Sequence, residues 1–175
     1  MEGIEIYPIF HVALPLILSE IPSIKKTFRS KILIIIGSIL ADLIDKPLLL
    51  LGLGPGRHLS HNLVFILISF LIVFVSTKKN LEISLSLLFG MVFHLILDLP
   101  EVPLFYPFVS YNFEILEEPL FYWINKFFID PVVLFTEIMG IGILIYIFIT
   151  NKLYHRLQLM KYLKGSSQSP IRIKK

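Results

Sequence analysis

The ionisable residues that interrupt the apolar stretches of this chain are few, and they are of the types used to bind metals. His11 lies in the first stretch, Asp42 and Asp45 in the run ADLIDKP of the second, and His58 and His61 in RHLSHN at the head of the third. His94 and Asp98 fall in HLILD of the fourth, and Glu137 in the fifth. Charges in an apolar medium are costly and are kept where they are paired or functional. Asp42 and Asp45 stand three apart and His94 and Asp98 four apart; His58 and His61 share the three-residue spacing if their helix begins early enough. Residues so spaced share a helix face, with Cβ atoms about 5–6 Å apart, so each pair can point inward together. Imidazole with carboxylate suits zinc, manganese or iron, and a divalent cation offsets carboxylates that burial penalises. The donor set His11, Asp42, Asp45, His61, His94 and Asp98, with Glu137 as a further candidate, is large enough for one or two ions, and two-metal sites serve phosphoester hydrolysis. Arg57 could hold a phosphate by bidentate hydrogen bonds. The chain has no cysteine, which excludes thiolate zinc sites and disulfides.

The elements that must position these groups are apolar helices. Hydrophobic residues make up 55%, charged residues only 17%, and the mean hydropathy is +0.80; soluble domains carry about 25% charge. Five apolar segments stand out, at about 4–18, 32–53, 62–76, 83–99 and 132–150. A membrane span needs ~20 residues. The second, fourth and fifth fit, and the third fits if Ser60 and His61 join it. The first contains Pro8 and Pro15 and is expected to be tilted, kinked or interfacial. Strands are not expected, because an open sheet edge cannot face hydrocarbon. The expected fold is therefore all-α: an integral membrane bundle of about five apolar helices over residues 1–164, then a disordered basic tail over 165–175. The connection 99–130 holds Pro100, Pro103, Pro107 and Pro119 among Phe105, Tyr106, Phe108, Tyr111, Phe121, Tyr122 and Trp123. That aromatic density suits a membrane-interface belt, and the prolines argue for short interfacial helices over the mouth of the bundle.

The charges give an orientation. With five spans, thirteen of the sixteen basic residues fall on one side, leaving Arg57 and Lys126 on the other with most of the acidic loop residues, and Lys46 within the second segment. Positive loops face the cytoplasm, so the C-terminus is expected inside. The chain opens with Glu2 and Glu5 rather than a basic n-region, so the first apolar run is read as a retained helix. On this map His11, Asp45, Arg57, His61, His94, Asp98 and Glu137 all lie at depths compatible with one cavity in the outer half of the bilayer. GLGPGR lacks the strand and lysine of a phosphate-binding loop and is read as a turn.

His11, ADLIDKP at 41–47, GRHLSHNLVF at 56–65, GMVFHLILDLPEVPLFYPF at 90–108 and TEIMG at 136–140 together resemble the YdjM-like family of LexA-regulated, inner-membrane-associated metal-dependent hydrolases. The likeness runs over about residues 8–145. It rests on the order of the pieces, since none is specific alone. In ligand order the family is similar to zinc-dependent phospholipase C and its nuclease relatives. The resemblance implies a helical zinc site acting on phosphoesters. Asn62 stands where the family has Ser or Thr, and His58 lies outside its pattern.

These observations lead to an expected membrane-bound, metal-dependent hydrolase. Its substrate would be a small or lipid-linked phosphoester, with a water activated by the cation as nucleophile, Asp42 or Asp45 as alternative general base, and Arg57 positioning phosphate. Membrane lipid is the expected surrounding partner, and nucleic acid is not expected. A metal-ion or proton-coupled transporter is the second reading. It needs polar residues across the inner half of the bundle, where ILIIIGSIL and LISFLIVFV offer almost none. A non-catalytic membrane scaffold is the third.

Overall fold

Prolines and short polar side chains set where the helices begin. Pro8, Pro22, Pro119 and Pro131 each occupy a first helical position, where a missing N–H costs nothing. Asn62 caps one helix by accepting the Phe65 N–H at 2.9 Å, Asn80 caps another through Ile83, and Asp130 accepts from Val132 at 2.8 Å. The computed structural model describes residues 6–113 and 117–165. Its elements are α1 (Pro8–Leu18), α2 (Pro22–Lys25), α3 (Lys31–Leu50), α4 (Leu63–Ser76), α5 (Leu81–Leu97), α6 (Pro119–Ile129), α7 (Pro131–Thr150) and α8 (Arg156–Lys164). No strand occurs among the described residues, so the all-helical expectation holds.

The central contact is α3 against α5. Gly37 and Gly90 sit face to face there. A Cβ at Gly37 would lie 2.3 Å from the Leu87 carbonyl oxygen, and one at Gly90 would lie 2.3 Å from that of Ile34. The two backbones therefore touch with no side chain between them. Helix α1 rests on α3 and α5, α7 on α1, and α4 on α5; α6 touches α7 and α3, and α8 packs on the start of α3. Ile66, Leu87, Met91, Leu95 and Val102 form one apolar cluster, and Leu16, Ile34, Ile147 and Leu153 another. The sequential antiparallel helices put the start of α1, the C-terminal half of α3, the end of α5 and the start of α7 at one end of the bundle. The end of α1, the start of α3 and α8 gather at the other.

The five apolar segments correspond to α1, α3, α4, α5 and α7. Of these, α7 is long and apolar enough to cross a membrane by length and composition, whereas α1, α4 and α5 are shorter. Helix α3 matches α7 in length at 20 residues but carries Lys31, Asp42, Asp45 and Lys46. In the connection 99–130, residues 99–113 form turns and α6 is the one helix among the described residues. His58 and His61 do not share a helix face: α4 begins only at Leu63, and residues 55–62 are irregular. The Asn62 cap stops the helix, and Asp45 holds the backbone N–H groups of His58 and Ser60 at 2.9 and 3.0 Å. Glu2, Glu5, Glu114 and the tail beyond Gly165 lie outside the described residues.

Candidate metal centre

His61, His94, Asp42 and Asp98 converge, and all four are buried. Asp42 comes from the middle of α3. His94 lies in the last turn of α5, and Asp98 caps that helix. His61 comes from the irregular segment just before α4. His61 Nε2 lies 3.2 Å from His94 Nε2, 3.4 Å from Asp42 Oδ1 and 3.5 Å from Asp98 Oδ2. His94 Nε2 lies 3.3 Å from the same Asp98 oxygen. Taken together, one donor atom from each residue lies within 4.8 Å of all the others. Asp98 Oδ2 is enclosed and makes no hydrogen bond, although both imidazole Nε2 atoms stand close to it.

The surrounding contacts fix which imidazole nitrogens face inward. Asp45 Oδ2 accepts from His61 Nδ1 at 2.7 Å. A carboxylate can only accept, so Nδ1 carries the hydrogen, and in the neutral ring Nε2 is left with the lone pair that could meet a cation. His11 is arranged the same way. Its Nδ1 lies 3.0 Å from the Tyr7 carbonyl, and its Nε2 lies 3.2 Å from Asp98 Oδ1, outside hydrogen-bond geometry. The His11 and His94 rings lie 4.5 Å apart. Lys46 donates to Asp42 Oδ2 at 2.9 Å and lies over the Trp123 ring of α6. Arg57 contacts Asp98 Oδ1 at 3.4 Å and also bonds Glu101 at the rim.

The structure thus places the expected residues in distinct positions. Asp42, His61, His94 and Asp98 form the group itself, and His11 stands beside it against Asp98. Asp45 sits behind His61 because it is nearly one helical turn farther along α3, level with the irregular segment it anchors. Glu137 is elsewhere: its Oε1 accepts the Phe10 N–H at 3.0 Å, satisfying a first-turn amide of α1 that has no intrahelical partner. His58 packs against Tyr106, with ring centres 4.2 Å apart and the planes tilted by 56°. Ser60 donates to the Ala41 carbonyl at 2.8 Å. Lys46 joins the site without being a ligand type; its place four residues after Asp42 on the same helix is the signal the sequence carries.

Asp45→Asn is expected to keep the shape of this corner while removing the charge behind His61. Loss of such an outer partner costs about 10–100-fold in metal affinity. Competition against a chromogenic chelator reads this directly, and wild-type affinity in Asp45→Asn would rule out the orienting role.

Fold and site define an all-helical protein whose helices meet around a buried imidazole–carboxylate group that could hold a metal ion. The chain belongs to the YdjM inner membrane protein family, which it matches over residues 8–161. Neither curated proteins nor solved structures gave a match to the chain.

Proposed function

We propose that this chain is a multi-pass inner-membrane hydrolase of phosphoesters, small or lipid-linked, that works with a divalent cation, zinc being the first choice. The observation that carries the metal reading is the set of spacings around His61. Zinc bonds nitrogen and oxygen at about 2.0–2.1 Å, so tetrahedral ligands stand ~3.3–3.4 Å apart. Four of the six donor pairs among His61, His94, Asp42 and Asp98 measure 3.2–3.5 Å, and all six lie within 4.8 Å. A cation there would supply Lewis acidity and lower the pKa of water. Asp45 orients His61, His11 buttresses Asp98, and Arg57 stands at the rim to meet an anionic group.

The membrane part of the proposal is supported by the outer surface. Val75 on α4 is 70% exposed, and Phe135 and Ile149 on α7 are 65% and 62% exposed. Continuous apolar faces of this kind mark contact with lipid or protein. The excess of basic residues at the end of the bundle away from the metal centre supports a cytoplasmic side for that end and for the C-terminus.

A structural, non-catalytic metal site is the second reading. It is favoured by the four-residue ligand set, since catalytic zinc keeps an open position. Arg57→Ala separates the two. With metal loading held equal, turnover of a phosphodiester substrate by untagged protein in micelles is expected to fall about 10²-fold, as for loss of one charge-stabilising donor. No hydrolysis by fully loaded wild type across phosphomonoester and phosphodiester substrates would leave the structural reading standing.

A further inference from the structure

The basic end of the bundle contains a cavity of its own. Its volume is about 540 Å³, and its walls come from the turn after α1, the segment leading into α3, the end of α7 and the last turn of α8. Lys25, Lys26, Arg29, Lys31 and Lys161 line it, against Glu20 as the one acidic lining residue among the described residues. The metal centre is far away. Lys31 and Asp42 stand at separate levels of α3, about 16 Å apart at 1.5 Å per residue.

The floor of this cavity is built, not merely charged. Lys31 is 2% exposed. Its ammonium donates to the Ser19 carbonyl and hydroxyl at 2.8 and 2.7 Å and pairs with Glu20 at 3.0 Å. Lys25 takes the other Glu20 oxygen at 2.7 Å. Burial alone would raise the Glu20 carboxyl, but the Lys25 hydrogen bond and the Lys31 charge hold it below the usual range. Glu20 is thus an anion already shared by two lysines, and the lining as a whole keeps an excess of positive charge. The contact of Arg29 with Glu82, at 3.4 Å between half-exposed side chains, offsets little of it.

Tyr162 completes the wall. Its hydroxyl is enclosed, close to Glu20 but outside hydrogen-bond geometry. Burial first, and then the Glu20 carboxylate, push its pKa up, so it stays a hydrogen-bond donor. Gly165 seals the edge. It has φ +66°, and a Cβ there would lie 2.0 Å from the Arg29 carbonyl oxygen. Helix α8 is therefore docked tightly against the segment that carries Lys26 and Arg29.

We propose that this cavity binds the phosphate-bearing headgroup of an anionic phospholipid in the leaflet that meets the basic face of the protein. The volume lies within the ~300–1,000 Å³ of ligand sites. The exposed apolar side chains Ile21 and Leu157, 42% and 66% exposed, flank the same end and would lie along acyl chains. Basic pockets between helices on the cytoplasmic side suit such headgroups. The inference rests on the membrane reading and is independent of the hydrolase reading.

Full-length protein in phosphatidylcholine nanodiscs doped with phosphatidylglycerol, examined by native mass spectrometry, tests it. Phosphatidylglycerol is expected to be retained in preference to phosphatidylcholine. Lys26→Ala/Lys161→Ala, two exposed positions, is expected to weaken retention about thirtyfold, at about 1 kcal/mol per basic residue near the surface. Lys78→Asn/Lys79→Asn removes equal charge from the α4–α5 turn, where φ is 55° and 65° and Asn is tolerated; it should leave retention near wild type. Equal loss in both doubles means diffuse surface attraction and overturns the proposal. So does a cavity that takes up inorganic phosphate and shows no preference for phosphatidylglycerol. Metal content, measured on the same samples, should not change, and a chain that fails to enter nanodiscs refutes the membrane reading itself.

Discussion

Asp98→Ala is expected to abolish metal retention. Asp98 is 2% exposed and sits among His11, His61, His94 and Arg57 at 3.2–3.5 Å. Removing it deletes one of the four converging donors and leaves a guanidinium facing imidazoles with no anion between them. Breaking a buried pair from one side costs about 3–5 kcal/mol, so destabilisation is expected as well. His94→Ala removes a donor without disturbing the Arg57 contact, and it separates lost coordination from lost folding. Metal measured by mass spectrometry on protein purified without a polyhistidine tag should fall to background in both variants. Full metal content in both would end the metal reading and the hydrolase with it.

The second large effect is expected at a residue with no side chain. A Cβ at Gly90 would meet Ile34 O at 2.3 Å, Ser38 N at 2.8 Å and Gly37 C at 3.1 Å. All three are backbone atoms, so no rotamer change relieves the clash. Gly90→Ala must push α3 away from α5, and overpacking of this kind costs about 1–3 kcal/mol or more. The same displacement separates Asp42 from His94 and Asp98, so metal affinity should fall with stability. Gly142 on α7 is the control, because a Cβ there meets nothing within 4 Å. Gly142→Ala should be neutral or stabilising, since Ala exceeds Gly in helix propensity by about 1 kcal/mol. Thermal unfolding followed through Trp123 fluorescence reads both. Wild-type melting and metal content in Gly90→Ala would contradict the close crossing.

The helices were legible because their apolar runs are long and their starts carry Pro, Asn or Asp. The meeting of His94 and Asp98 with Asp42 was legible from helical spacing combined with alternating helix direction, and His61 from its place at the head of the third apolar segment. What periodicity cannot give is the partner of each oxygen. Asp45 and Asp42 look equivalent in ADLIDKP, yet one faces the common centre and the other faces the back of His61 and two amides. Glu137 looked like a ligand by depth, but α1 begins beside it and claims it through the Phe10 amide. His58 and His61 looked like one helix face until the Asn62 cap intervened. The Gly37–Gly90 contact and the Lys31 cavity were hidden for another reason: both depend on pairing between distant segments that single-helix patterns do not encode.

The irregular stretch before α4 has a consequence for the bilayer. Helix α4 has 14 residues and rises about 21 Å at 1.5 Å per residue, short of the ~30 Å hydrocarbon thickness. On the membrane reading, the non-helical backbone around His61 dips below the headgroups. Bare amides there would cost several kcal/mol each. The amides of His58 and Ser60 are satisfied by the Asp45 carboxylate, and the Asn62 amide group bonds the His58 and Leu59 carbonyls. These two side chains replace the missing water, which lets a loop sit at a depth otherwise reserved for helices.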